Sequence, residues 1–324
     1  MAIKEEVLQY LRKSTGDVSG EELSERLGIS RTAVWKAVNA LREEGYEIAS
    51  ATRRGYRLLK EPDRIDAEDL LQNLDTQFLG KEIQVFKEID STNEEVKRQA
   101  LRGARDGLVI ISEEQNGGKG RLGRAWNSPS GTGLYFSFLL RPEHIPEPLT
   151  NATLLAGLGV VRALRRVWGL DAKIKWPNDV VIGNKKVCGI LTEMAAEIDK
   201  VQYIVPGIGI NVGNQSFPDE LAVKATSMLI ELGKPVKRSE VLLATLEELD
   251  KLFIKKEFPL KEYSDLCVSL HKKVRYTRGL KSYTGTAFAI APGGELMVRS
   301  DEDGTEIPIS TGEVIVQGIY GQNV

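Results

Sequence analysis

Residues 113–138 read EEQNGGKGRLGRAWNSPSGTGLYFSF and hold a formal G-x-G-x-x-G at Gly118, Gly120 and Gly123. In a dinucleotide-binding unit that pattern follows a strand and opens a helix, because the pyrophosphate rests on the helix N-terminus. Here a buried strand, Gly107 to Ser112 (GLVIIS), precedes the glycines, but no helix follows. The chain runs instead through Pro129 and Gly131 into a second strand, Gly133 to Leu140. The Rossmann reading fails on this context, and a Walker A loop fails because no Gly-Lys is followed by Ser or Thr. What remains is a glycine-rich loop carrying Lys119, Arg121 and Arg124 beside Trp126. Glycines let backbone N–H groups approach an anion and the cations neutralise it, which suits a phosphate or a mixed phosphate and carboxylate ligand. A solvated basic loop is the other reading of the same residues.

Outward from the loop, helical and β patterns mix. Ile83 to Phe86 is strand-like, and Ser91-Thr92-Asn93-Glu94 starts a helix that runs to Arg102. Asn151 to Trp168 is a long apolar helix. Lys173 to Trp176, Asp179 to Ile182, Lys186 to Met194 and Tyr203 to Val212 read as strands. Near-consecutive strands with few helices between them predict an α+β sheet, not a doubly wound one. The last fifty or so residues alternate in short strands, with turns at Pro292-Gly293-Gly294 and Asp303-Gly304, and predict a small SH3-like β-barrel.

The N-terminal sixty residues have a different grammar. Ile3, Val7, Leu8 and Leu11 recur at helical spacing, and Ser19 with Glu22 forms a capping box for a second helix. Gly28-Ile29-Ser30 then turns into a third helix that Gly45 ends. Two helices joined through a glycine turn predict a helix-turn-helix, whose second helix enters the DNA major groove. Ser30, Arg31, Thr32, Trp35, Lys36 and Asn39 are its candidate DNA contacts, while Val34, Val38 and Leu41 point inward. Two strands around Thr52-Arg53-Arg54 complete a winged hairpin, with Arg53 and Arg54 placed for phosphates. A protein-interaction module with a solvated basic face is the blander alternative. The polar, proline-bearing connector after Lys60 sets the expected domains at 1–62, 63–268 and 269–324.

Bulk composition narrows the function. The 324 residues carry 44 Lys and Arg against 46 Asp and Glu, a net charge of -2, so any nucleic-acid binding must come from a local patch. Two cysteines, Cys188 and Cys267, sit among apolar neighbours as reduced thiols would. With His144 and His271 the only histidines, catalytic triads and His-rich metal centres are improbable. No secretory signal or bilayer-spanning run is legible, and a cytoplasmic protein without membrane partners is expected.

A second constellation lies in KIKWPNDVVIGNKKVCGILTE: Lys175, Asn178 and Asp179 at a Pro-marked turn, Lys186 near the next strand's start, and Gly189. With Ser91-Thr92-Asn93, Gln115, the Gly118–Arg124 loop, Trp126 and Gly207-Ile208-Gly209-Ile210-Asn211, these motifs together resemble the bifunctional biotin protein ligase and biotin operon repressor family. The resemblance covers essentially the whole chain, the winged helix-turn-helix and the C-terminal barrel included, with a ligase domain between them.

That resemblance implies biotin, ATP and Mg²⁺ as ligands and two-step chemistry: biotin is converted to biotinyl-5'-AMP, then passed to a lysine. The acceptor would be a biotin carboxyl carrier domain of acetyl-CoA carboxylase or a similar biotin-dependent carboxylase. It further implies a homodimer promoted by biotinyl-5'-AMP that binds operator DNA and represses biotin genes. A carboxylate must approach a phosphate, and the repulsion between them is large in a water-poor pocket. The resemblance gives Lys186, Arg121 and Lys119 the task of suppressing it, with Lys186 central. It puts Ser91, Thr92, Asn93, Gln115, Lys119, Gly120, Arg121, Lys186, Gly189, Gly207 and Gly209 around biotin. Gly118, Gly123, Arg124, Trp126, Lys175, Asn178 and Asn211 are placed around the adenylate. Asp179 would hold Mg²⁺ directly or through water, or else orient Lys175 or a ribose.

One departure is visible: Lys119 stands where many relatives of that family have Arg, which keeps the charge but loses the guanidinium fork. A lipoate or other acyl-carboxylate ligase shares the adenylation logic. A DNA-binding regulator that only senses its ligand is the third reading.

Overall fold

The computed structural model describes residues 3–51, 55–197, 200–278, 281–310 and 312–324. The chain divides into two compact units, Met1–Arg64 and Ile65–Val324.

The first unit comprises α1 (Ile3–Lys13), α2 (Gly20–Leu27), α3 (Arg31–Glu43) and a hairpin of β1 (Glu47–Ala51) and β2 (Gly55–Lys60). The Ser19 hydroxyl accepts from Glu22 N at 3.0 Å and the Ser30 hydroxyl from Ala33 N at 3.2 Å, caps worth about 1 kcal/mol each. Gly28, at φ 65°, turns the chain between α2 and α3. Val7, Leu8, Leu11, Leu23, Val34, Val38 and Leu41 are buried in one apolar cluster. Val18 exchanges two 2.8 Å backbone hydrogen bonds with Tyr56, adding a third short strand to the hairpin. Gly55 sits at φ 103°, where a Cβ would lie 2.0 Å from the Val18 carbonyl oxygen, so that close approach requires glycine. This is a winged helix-turn-helix. On α3, Arg31, Thr32, Trp35 and Lys36 face solvent, while the half-buried Asn39 accepts from Arg42 at 3.3 Å. Arg53 and Arg54 lie outside the described residues.

The second unit begins with α4 (Ala67–Asn73), β3 (Ile83–Phe86), α5 (Thr92–Leu101), β4 (Val109–Ser112), β5 (Gly133–Phe138) and α6 (Asn151–Trp168). It continues through β6 (Ala172–Lys175), β7 (Asp179–Ile182), β8 (Lys185–Glu197) and β9 (Lys200–Asn211). Next come α7 (Asp219–Ala222), α8 (Met228–Leu232), α9 (Arg238–Lys255) and α10 (Leu260–Leu266). The last strands are β10 (Lys273–Arg278), β11 (Lys281–Ile290), β12 (Leu296–Ser300), β13 (Glu306–Ile309) and β14 (Val314–Val316).

Seven strands form the central sheet in the order β3-β4-β5-β9-β8-β7-β6, parallel only between β3 and β4. The hairpin-rich connectivity gives the α+β class. The C-terminal strands make a five-stranded antiparallel sheet, β13-β12-β11-β10-β14. Its end strands do not pair with each other among the described residues, so no hydrogen-bonded ring closes. Its inward residues, Val274, Tyr276, Leu296, Val298 and Val316 among them, share one apolar core with α6 and the central sheet.

Helix α9 was not placed by the sequence pattern. Arg238, Thr245, Glu248 and Asp250 are all buried on it, and these polar positions interrupt the apolar stripe by which an amphipathic helix is read. Each has a task or a partner. Asp250 accepts from the backbone N–H groups of Gln77 (2.7 Å), Phe78 (3.0 Å) and Leu79 (2.9 Å), and Arg238 pairs with Glu113 at 2.6 Å. A Cβ on Gly159 would stand 2.6 Å from Leu249 Cδ2, so this glycine lets α6 and α9 pack closely. Among the described residues no helix is long and apolar enough to cross a membrane.

Candidate functional site

The basic loop is a small closed hairpin. Gly120 N donates to Arg124 O at 2.7 Å and Trp126 N to Gly118 O at 2.9 Å, with a 3₁₀ turn over Arg121–Gly123 at the tip. At that tip Leu122 adopts φ 57°, the left-handed region, with its side chain exposed. The loop's base is tied to the start of α5, since Gly117 N donates to Asp90 O at 2.8 Å. Asp90 in turn grips Arg98 through both carboxylate oxygens, at 2.7 and 2.9 Å, and the guanidinium holds its carboxyl down at about 2.

Between this loop, the N-terminus of α5 and the faces of β8 and β9 lies a cleft of about 480 Å³ counted to its open mouth. All eleven residues placed by resemblance around biotin line it: Ser91, Thr92, Asn93, Gln115, Lys119, Gly120, Arg121, Lys186, Gly189, Gly207 and Gly209. Of the adenylate set it takes in Trp126 and Asn178. The others sit behind or beside it. Lys175 is buried and donates to Val314 O at 3.1 Å, Arg124 pairs with Glu313 at 2.5 Å, and the Asn211 amide donates to Thr226 O at 3.0 Å. Gly118 packs against Trp126 O, and Gly123 supplies the turn at φ 74°.

The floor of the cleft is a buried polar array. Gln115 Oε1 accepts from Thr92 N at 2.9 Å, and its Nε2 donates to the Ser128 hydroxyl at 2.9 Å. Asn93 Oδ1 accepts from the Ser137 hydroxyl at 2.6 Å, and its Nδ2 donates to Glu193 at 2.7 Å. Ser91 occupies the N-cap position of α5, but its hydroxyl makes no capping hydrogen bond. The residue lines the cleft. Ser137 was missed by the motif reading although it is wholly buried and also lies 2.7 Å from Thr92 Oγ1. A lone polar residue within GLYFSF was its available signal.

Glycines shape the opposite wall. A Cβ on Gly207 would stand 2.0 Å from Asn93 Oδ1, and one on Gly209 would stand 2.5 Å from Trp126 Nε1. The Trp126 indole thus lies directly on the β9 backbone, and its N–H is buried with no hydrogen-bond partner among the described residues.

Charge converges on one carboxylate. Asp179, at the start of β7, pairs with Lys186 Nζ at 2.6 Å and accepts from the Tyr320 hydroxyl at 2.8 Å. Burial pushes its carboxyl up, but Lys186, Lys175 and the hydroxyl outweigh that and leave it below the ordinary value. Burial also lowers Lys175. Lys186 Nζ sits 5.1 Å from the centre of the Trp126 ring, a cation–π contact. Its backbone is clamped by residues 224–226, through Lys186 N to Lys224 O (2.7 Å) and Thr226 N to Lys186 O (2.9 Å). Arg121 reaches Asn178 Oδ1 at 2.9 Å and Gly312 O at 2.8 Å. Lys119 is held outside this group by Glu94, at 2.7 Å. Arg121, Lys175 and Lys186 facing one buried carboxylate leave the site net positive, which suits an anionic ligand.

The described residues contain no group of three or more His, Cys, Asp or Glu side chains able to hold a metal. Asp179 Oδ2 accepts from Tyr320 and Oδ1 is ion-paired with Lys186 without a hydrogen bond, and a single carboxylate facing a lysine is a poor donor set for a protein-held cation.

Known proteins match this arrangement. Residues 85–211 match the model of the biotin/lipoate A/B protein ligase family, and residues 4–57 match an HTH domain. The bifunctional ligase/repressor BirA of Bacillus subtilis (strain 168) is 36% identical over 88% of this chain and 90% of its own length. The bifunctional ligase/repressor BirA of Escherichia coli (strain K12) is 30% identical over 91% and 92%. Among solved structures, the biotin protein ligase from Aquifex aeolicus in complex with biotin and ATP superposes with a TM-score of 0.64 at 32% identity. It covers 73% of this chain and 99% of that one.

Proposed function

Because the chain belongs to the biotin/lipoate A/B protein ligase family, in its bifunctional ligase/repressor branch, we propose that it activates biotin with ATP and transfers it to a protein lysine. In the first step a biotin carboxylate oxygen attacks the α-phosphorus, the bond to the β,γ-diphosphate breaks, and pyrophosphate leaves. In the second, the acceptor ε-amine attacks the biotinyl carbonyl, AMP departs with the bonding pair, and the amine's proton passes to solvent. The acceptor is a biotin carboxyl carrier domain.

The observation that carries this reading is that one cleft joins the polar array of buried Thr92 and Asn93 and half-buried Gln115 to the cations Lys186 and Arg121. The array offers the donors and acceptors that a ureido ring needs, and Ile190, Leu191 and Ile208 supply apolar walls. Lys186 and Arg121 reduce the repulsion between carboxylate and phosphate and stabilise charge building on the α-phosphate. Lys119 joins them once it exchanges Glu94 for a ligand anion. Magnesium would be held by the ATP phosphates and not by side chains of the cleft, and it would supply neutralisation of their charge.

The exposed face of α3 supports operator binding, with Arg31 and Lys36 on phosphates and base edges and the wing beside them. Biotinyl-5'-AMP ordering the Gly118–Arg124 loop would promote the dimer that matches a palindromic site in the cytoplasm. Isotope exchange between pyrophosphate and ATP tests the enzymatic half. Exchange that requires biotin supports the reading; exchange driven equally by lipoate, or none with biotin, contradicts it.

A further inference from the structure

Tyr320 does not line the cleft, yet its hydroxyl donates to Asp179 Oδ2 at 2.8 Å while Lys186 holds Oδ1 at 2.6 Å. Its backbone lies at φ 59°, the left-handed region that a side-chain-bearing residue enters only at a cost. Gly318 at φ 78° and Gly321 at φ 68° flank it, and Tyr320 N donates to Asn184 O at 3.0 Å, docking the turn on the β7–β8 hairpin. The same ring lies 5.1 Å from Lys175 Nζ. One side chain from the C-terminal turn thus touches both the carboxylate that holds Lys186 and the buried lysine beside it.

We propose that Tyr320 is a positioning residue for adenylate formation, fixing the rotation of the Asp179 carboxylate so that Oδ1 alone meets Lys186 and the ammonium stays at the cleft. Without the hydroxyl, Asp179 turns freely and both of its oxygens are open to Lys175, Lys186 and Arg121. The Lys186 ammonium is then drawn off its position, and a displacement of that kind weakens transition-state contacts more than substrate binding. This inference rests on the ligase reading above, and it assigns a step of that chemistry to the C-terminal turn.

The test is a double-mutant cycle on the full-length chain. The rate of biotinyl-adenylate formation is measured under single-turnover conditions with α-labelled ATP, followed for hours so that slow variants stay in range. Tyr320→Phe is expected to lower the rate about tenfold, the weight of a hydrogen bond to a charged group, while the biotin KM stays within about twofold. In an Asp179→Asn background the same substitution is expected to cost less than about twofold, because the group Tyr320 acts on is already changed. Equal losses in both backgrounds would overturn the proposal, as would an unchanged rate for Tyr320→Phe in the otherwise native chain. Melting temperatures separate these outcomes from misfolding, and Tyr320→Trp, which keeps a ring without the hydroxyl geometry, must not restore the rate. If the native chain itself makes no adenylate from biotin and ATP, the ligase reading fails instead.

Discussion

Lys186 Nζ stands 2.6 Å from Asp179 Oδ1, with side chains 25% and 12% exposed. Asp179 is deeper and does not line the cleft, whereas Lys186 does. A partner that anchors a lysine without covering it leaves the cation free to meet a phosphate.

Replacing Lys186 with Ala should therefore lower adenylate formation about 10²- to 10³-fold, the range for loss of one preorganised electrostatic donor. Biotin affinity, measured by calorimetry without ATP, should change far less. Comparable losses in both would mean that Lys186 binds biotin and does not act mainly on the phosphate.

Gly207→Ala places a methyl 2.0 Å from Asn93 Oδ1 and must displace that amide from Ser137 and Glu193. Overpacking of this kind costs about 1–3 kcal/mol, and biotin binding should weaken more than ATP binding does. Calorimetric titration with each ligand separately reads the difference.

Asp90 titrates at about 2, below its ordinary 3.8, because of the Arg98 guanidinium. A depressed carboxyl contributes stability that is fully present above its unfolded value and is lost as pH falls through the folded one. The window is thus pH 3.8 down to about 2. With half of the Asp90 side chain exposed, screening limits the pair to about 1 kcal/mol or less. Urea denaturation should show a steeper acid loss in the native chain than in Asp90→Asn.

Arg31→Ala with Lys36→Ala should weaken operator binding and lower the slope of log affinity against log salt by about one per lost phosphate contact. Biotin-dependent pyrophosphate exchange should be unaffected, since both residues lie on α3. A salt slope equal to that of the native chain would remove these residues from the DNA interface.

Much of this was legible before folding. The absent helix after Gly123 separated the loop from a dinucleotide fingerprint, and the capped turn at Gly28-Ile29-Ser30 marked the recognition helix. Local grammar of that kind is written within ten or fifteen residues. What could not be read depends on distant pairing. Tyr320 reaches Asp179 across 141 positions and Arg121 reaches Gly312 across 191, and no spacing rule anticipates either. Helix α9 was hidden because its buried face carries an arginine, a threonine and two acids, each satisfied only by tertiary partners. The glycines of β9 looked like ligand contacts; Gly209 is also the surface on which Trp126 rests, a role visible only once β9 and the loop are brought together.

The cleft is expected to make and hold an adenylate through Lys186. Native mass spectrometry of the full chain incubated with biotin, ATP and magnesium addresses it most directly. The predicted result is a retained mass equal to biotinyl-5'-AMP, absent when biotin is omitted and strongly reduced in Lys186→Ala. Retention of unreacted ATP and biotin alone, or an adduct of equal abundance in Lys186→Ala, would rule out that role for the cleft and Lys186.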